Sequence, residues 1–223
     1  MNSYDRAALF SLGYAFRRRF AFVELSSPYR KAENIEYPDS RGEWINTNNK
    51  DTRAFEQISK EISRWIKEDR LSRAIGTDEE NSELEEGLVD TWSAINDEKW
   101  NPAKLLNYLV GWFTRKKMVD MGYAQTVDSI KFLLVYLIKE DISFENSLKA
   151  VDQAFLSYIL PQVEYFLPKV RRERISRVSG QQDEKKKLND LQTLLSELGL
   201  LTSMYKIIEI TERLDKFGET SIY

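Results

Sequence analysis

Neither cysteine nor histidine occurs anywhere in this sequence of 223 residues. Without cysteine there is no thiolate nucleophile and no disulfide. Without histidine there is no imidazole base, and with both missing, Cys/His zinc sites and imidazole-containing triads are excluded. Acid–base chemistry would fall to carboxylates, lysine or tyrosine. A chain without cysteine also suits the cytoplasm, which is the expected location. Long apolar runs are missing as well. The longest, at residues 132–138, falls far short of the roughly 20 residues a membrane-spanning helix needs. A secretory leader is not expected either, because Asp5, Arg6, Arg17, Arg18 and Arg19 interrupt any apolar core near the N-terminus. The formal net charge is −3, so no global field draws the chain towards DNA or an anionic membrane. Basic character has to act locally.

The charge that stands out is local. Arg17, Arg18 and Arg19 lie directly before Phe20, Phe22, Val23 and Leu25. Permanently charged groups beside an apolar segment are costly unless an anion meets them. Upstream, Leu9, Leu12, Ala15 and Phe16 fall on helical spacing. Residues 20–25 read as a strand with apolar residues on both faces, the pattern of an interior strand in a covered sheet. No comparable strand follows, so this one lacks partners within the chain.

The remainder reads as helices. Residues 26–50 are polar, with Pro28, Pro38, Gly42 and an asparagine-rich tip, and are expected to form a loop or insertion anchored by Trp44. A helix is predicted from Asp51 to Arg70, with Asp51 or Thr52 as its cap and Phe55, Ile58, Ile62, Trp65 and Ile66 as its apolar stripe. An acidic stretch, residues 78–86, leads into a short helix holding Leu88, Val89, Trp92 and Ile95. Asn101 followed by Pro102 signals the start of a helix that ends at Arg115, Lys116 and Lys117. A helix at about residues 126–139, apolar almost all round, is expected at the centre. Ser143 is expected to cap the next helix, which Pro161 bends or ends. Residues 171–187 read as a charged linker containing Gly180. Residues 188–223 form a helical hairpin, with Gly199 as the stop of its first arm and Thr202 as the cap of its second.

The segment MNSYDRAALFSLGYAFRRRFAFVEL resembles the stretch from sensor 1 to the arginine finger in McrB-type AAA+ NTPases, the motor subunits of modification-dependent restriction systems. The matching residues are Met1, Asn2, Ser3, Asp5, Arg6, Arg17, Arg18, Arg19 and Phe20. Ser3 replaces the family threonine and Phe16 the family leucine. The resemblance implies a fold that is mainly α: the end of an AAA+ α/β core at 1–25 with one strand after the arginines, an insertion at 26–50, a helical lid at 51–170, a linker at 171–187 and a hairpin tail at 188–223. It implies that Asn2 orients a water, that Arg18 is the finger acting on a neighbouring subunit, and that Arg17 and Arg19 share that interface. Asp5 and Arg6 would organise the turn after sensor 1. The sensor 2 arginine is absent from the matching stretch at 119–125, and Lys117 is the nearby cation that would support the nucleotide in its place.

No Gly-x-x-x-x-Gly-Lys-Ser/Thr motif occurs, and no apolar strand ending in Asp-Glu. The phosphate cradle and the magnesium-binding carboxylates are therefore missing. The expectation is the C-terminal part of an AAA+ module, in which ATP or GTP with Mg²⁺ is bound only in the complete assembly. This chain alone should be inactive. Its partners would be the missing N-terminal half or neighbouring subunits of a homo-oligomeric ring, with a nuclease subunit further out, DNA engaged only indirectly and no membrane. The alternative is a non-catalytic helical interaction module. The basic residues Arg171, Arg172, Arg174 and Arg177 are interleaved with Glu173, and a solvated helix face accounts for them better than a nucleic-acid site.

Overall fold

The computed structural model describes residues 37–38, 44–45, 52–67, 78–97, 100–119, 121–164 and 178–217. These are mainly helical. The predicted core strand at 20–25 and the helix before it lie outside the described residues. Within the stretch expected to be a loop, β1 (Tyr37–Pro38) pairs antiparallel with β2 (Trp44–Ile45), placing Tyr37 opposite Ile45 and Pro38 opposite Trp44. β1 lies alongside the third helix described below.

Helix α1 (Thr52–Lys67) buries Ile58, Ile62 and Ile66, spaced four residues apart, and keeps Phe55 and Trp65 half-buried beside them. Helix α2 (Asp78–Asp97) is longer than predicted. The acidic stretch forms its first turns instead of leading into it, because carboxylates are favoured near the positive end of the helix dipole. Leu88, Thr91 and Ile95 face inward, whereas Val89 is exposed.

Helix α3 (Pro102–Arg115) starts where the sequence indicates: the Asn101 side chain accepts the Lys104 N–H at 3.0 Å, and Pro102 takes the first helical position. A proline there loses nothing, since that N–H would have no helical partner. Helix α4 (Tyr123–Leu137) is the central element. It packs against α1, α2 and α3, and also against α5 (Phe144–Ala154). Ile130, Leu133, Leu134 and Leu137 are fully enclosed. Each such side chain contributes about 1.5–3 kcal/mol relative to exposure. Ser143 caps α5, accepting the Asn146 N–H at 3.2 Å.

Pro161 does not end this helix. The chain passes through a π turn (Phe155–Ile159), in which the Leu160 N–H reaches back to the Phe155 carbonyl, and continues as α6 (Leu160–Glu164). A proline lacks the N–H for an α-helical bond and crowds the carbonyl four residues earlier, here Ser157. Widening the helix just before it relieves both problems. The extra residue also re-aims the side chains. Tyr158, three residues after Phe155 and seven after Val151, would share their buried face in an uninterrupted helix, yet it is 38% exposed, while Ile159 is 0% exposed. Tyr158 instead meets Phe132 of α4, with ring centroids 5.6 Å apart.

Helices α7 (Val178–Glu197) and α8 (Leu201–Phe217) form the predicted hairpin. Helix α7 begins inside the stretch read as linker. Residues 178–187 belong to it, and residues 171–177 lie outside the described set. Lysine and glutamate are good helix formers, and Gly180 falls in the first turn, where its cost is small. The hairpin shares one hydrophobic core with the earlier helices: Leu188, Leu191, Leu195, Leu200, Ile207 and Ile210 join it. Thr202 is not the cap of α8. The buried carboxylate of Asp152, on α5, accepts the Thr202 N–H at 2.9 Å and the Ser203 N–H at 3.0 Å, and also receives the Ser203 hydroxyl. A side chain from another helix thus stands where an N-cap side chain normally does.

Candidate functional site

Of the residues singled out in the sequence, Asn2, Asp5, Arg6, Arg17, Arg18 and Arg19 lie outside the described residues. Lys117 lies within them, in the turn that closes α3. This turn is a Schellman motif. The Met118 N–H donates to the Phe113 carbonyl at 3.0 Å and the Lys117 N–H to the Thr114 carbonyl at 3.1 Å, which satisfies the last carbonyls of the helix. Such a turn requires a left-handed residue at its centre, and Lys117 supplies it with φ 54°. Glycine normally occupies that position because a Cβ there costs about 1–2 kcal/mol.

The turn is locked from below. The Met121 N–H donates to the buried Thr114 Oγ1 at 3.2 Å, and Met118 and Met121 are themselves buried. Lys117 is left exposed on a rigid support. Just before it stand Lys116, whose Nζ lies 5.6 Å from the Trp112 ring centroid, and Arg115, whose guanidinium lies 5.3 Å from that of Tyr108. Lys116 also reaches across to α7, with its Nζ 2.8 Å from Asp190 Oδ2. That contact sets the cationic end of α3 beside the helix that carries Lys185, Lys186 and Lys187, one turn before Asp190.

A second feature is a groove of about 480 Å³ between α1 and α4, floored by Ile58 and Val127 and edged by Gln57, Glu61, Tyr123, Asp128 and Lys131. Its charged groups are engaged with one another: Glu61 with Arg64, Asp128 with Lys131 at 3.9 Å, and Lys131 Nζ 5.5 Å from the Trp65 ring centroid. Among the described residues no cluster of three or more acidic side chains is placed to hold a metal ion. No described helix is long and apolar enough to cross a membrane.

Compared with protein-family models, curated proteins and solved structures, the chain matches none. The chemistry therefore has to be read from the residues. The end of α3 can hold an anion through lysine ammonium groups. Sequence spacing does show the run of Arg115, Lys116 and Lys117. The contact with α7 that extends it was not legible, because Lys116 and Asp190 are 74 residues apart.

Proposed function

We propose that this chain is the C-terminal portion of a McrB-like AAA+ NTPase, contributing sensor 1 and the trans arginine finger to nucleotide hydrolysis in a ring that drives DNA restriction or translocation. The observation that carries the reading is the spacing of Asn2, Asp5 and Arg6 ahead of Arg17, Arg18, Arg19 and Phe20. The mainly helical body after residue 51, organised around α4, supports it, because an AAA+ lid is all-helical. In this reading the neutral Asn2 amide orients the attacking water without taking its proton. Arg18 stabilises the charge that redistributes over the terminal phosphoryl oxygens, and Arg17 and Arg19 hold the subunit interface. The guanidinium suits this role because it is always charged and matches phosphate oxygens with two donors. ATP or GTP with Mg²⁺ would be held by a P-loop and carboxylates that this sequence does not contain.

The chain alone is expected to hydrolyse neither ATP nor GTP. Paired with a polypeptide that supplies the P-loop and the magnesium-binding carboxylates, it should support turnover that Arg18→Ala lowers about 10³-fold or more. Turnover by the chain alone, or restored turnover indifferent to Arg18→Ala, would overturn the proposal. A second reading, a non-catalytic helical interaction module, is favoured by Leu201 and Tyr205. They stand one turn apart on α8 and are 54% and 65% exposed. It would be preferred if no nucleotide-dependent association with such a polypeptide is seen by sedimentation.

A further inference from the structure

We propose that the turn closing α3 and the adjoining lysine face of α7 form a docking surface for the phosphate backbone of nucleic acid, with Lys117 at its centre. The surface needs neither Asn2 nor Arg17, Arg18 and Arg19, and it shares with the AAA+ resemblance only Lys117, which that resemblance would set beside a nucleotide. Three observations support it. First, the contact between Lys116 and Asp190 joins two basic segments that are remote in sequence. Lys116 and Lys117 come from one side, and Lys186 and Lys187, four and three residues before Asp190 on the same face of α7, from the other. A helix rises about 1.5 Å per residue, so Lys186 and Lys187 sit roughly 5–6 Å along α7 from Asp190. Asp183 and Glu184 precede them on the same helix. Asp190, the carboxylate at the junction, is already committed to Lys116.

Second, Lys117 and Lys186 are both exposed, and neither has an ion-pair partner among the described residues. No side chain that the structure describes competes with an incoming anion for either charge.

Third, Lys117 is kept in a backbone conformation that favours glycine. The turn after α7 has the same hydrogen bonds and uses Gly199, with φ 75°. The fold thus closes one helix with the residue best suited to the turn and the other with a lysine whose ammonium the turn itself does not require. Strain held at a rigid, exposed position is a recurrent mark of a binding contact.

The chemistry selects the partner. Lysine ammonium groups are point charges that satisfy phosphates without reading bases, and the nearby Trp112 is buried and offers no face for stacking. Recognition should therefore be independent of sequence and strongly dependent on salt. The chain as a whole carries net charge −3, so attraction arises from this patch and not from a general field.

The test is fluorescence anisotropy of a labelled 30-base-pair duplex with the full chain. If about four phosphates are contacted, affinity should fall about 10²-fold between 50 and 200 mM salt. Lys117→Gly is the decisive variant because it relaxes the turn. It should lower affinity equally for unrelated sequences and reduce the salt slope by about one, while the thermal midpoint rises. Lys186→Gln should act in the same direction. No saturable binding at 50 mM salt would overturn the proposal. So would affinity unchanged in both variants, binding to phosphatidylserine vesicles but not to the duplex, or binding of free ATP or GTP at Lys117 but not of the duplex.

Discussion

Lys117 and Gly199 occupy the same position in two copies of one turn. In each, the residue five places earlier accepts the N–H of the residue after the left-handed one: Met118 to Phe113 at 3.0 Å, Leu200 to Leu195 at 2.9 Å. In each, the left-handed residue itself donates to the carbonyl three places back, Lys117 to Thr114 and Gly199 to Ser196, both at 3.1 Å. The apolar pair that accompanies such a turn is buried in both cases.

The pair makes opposite demands on substitution. Lys117→Gly should stabilise the chain by about 1 kcal/mol, the relief of left-handed strain less the added freedom of glycine in the unfolded state. Gly199→Ala should destabilise by about 1–2 kcal/mol. At Gly199 the new Cβ would also meet Leu148 Cδ2 at 3.2 Å. Urea midpoints with unchanged slopes would check both signs. A Lys117→Gly protein with a lower midpoint would contradict the strain assigned to this turn.

Asp152 predicts a different loss. Replacing it with alanine removes the acceptor for two backbone N–H groups and a buried hydroxyl at the start of α8. The cost should be about 3 kcal/mol, an N-cap together with buried donors left without partners. Asp152→Asn keeps one acceptor oxygen and should lose less. Amide exchange at Thr202 and Ser203 should quicken in the alanine variant well beyond that of residues in α4. Exchange that stays slow at both amides would show that the helix start does not depend on this carboxylate.

One surface pair on α5 has a pH dependence of known sign. The hydrogen bond from Lys149, and then its charge, hold the Glu145 carboxyl below the ordinary range and raise Lys149 in turn, with the two side chains 2.9 Å apart. A lowered carboxyl contributes stability above its unfolded pKa and loses it as pH falls through the folded value. A raised lysine contributes below its unfolded pKa and loses it as pH rises through its folded value. Following Glu145 by NMR, Lys149→Met should move its titration upward, and about 1 M salt should move the wild type the same way, since both groups are exposed and screened. A midpoint indifferent to both changes would show that the pair is not formed in solution.

The local devices of this fold could be read from the sequence, and the long-range ones could not. Asn101 and Ser143 cap helices through side chains bonding three residues ahead, so the signal and the structure lie side by side. The position of α4 followed from its being apolar almost all round. Asp152 gave no such signal. It looks like any charged residue of an amphipathic helix, and its partners are 50 and 51 positions away. Lys117 could be listed as a cation, but no composition rule places a lysine in a left-handed turn. The helical start at Val178 was hidden because a run of mixed charge reads equally as a solvated linker or a solvated helix. The candidate catalytic residues Asn2, Arg17, Arg18 and Arg19 rest on the resemblance of residues 1–25, and their arrangement lies outside the described residues.

The π turn at residues 155–159 makes this helix one residue longer than its own geometry needs. Val151, Phe155 and Ile159 all face the core, and Tyr158 is the position squeezed out. Removing that single residue would let a regular helix run on with Ile159 and Leu160 still facing inward, provided Pro161 were replaced by a residue with an N–H. The turn is thus where this chain tolerates a change in length inside a helix, and a relative with a gap there should be aligned across it without supposing that the fold has changed.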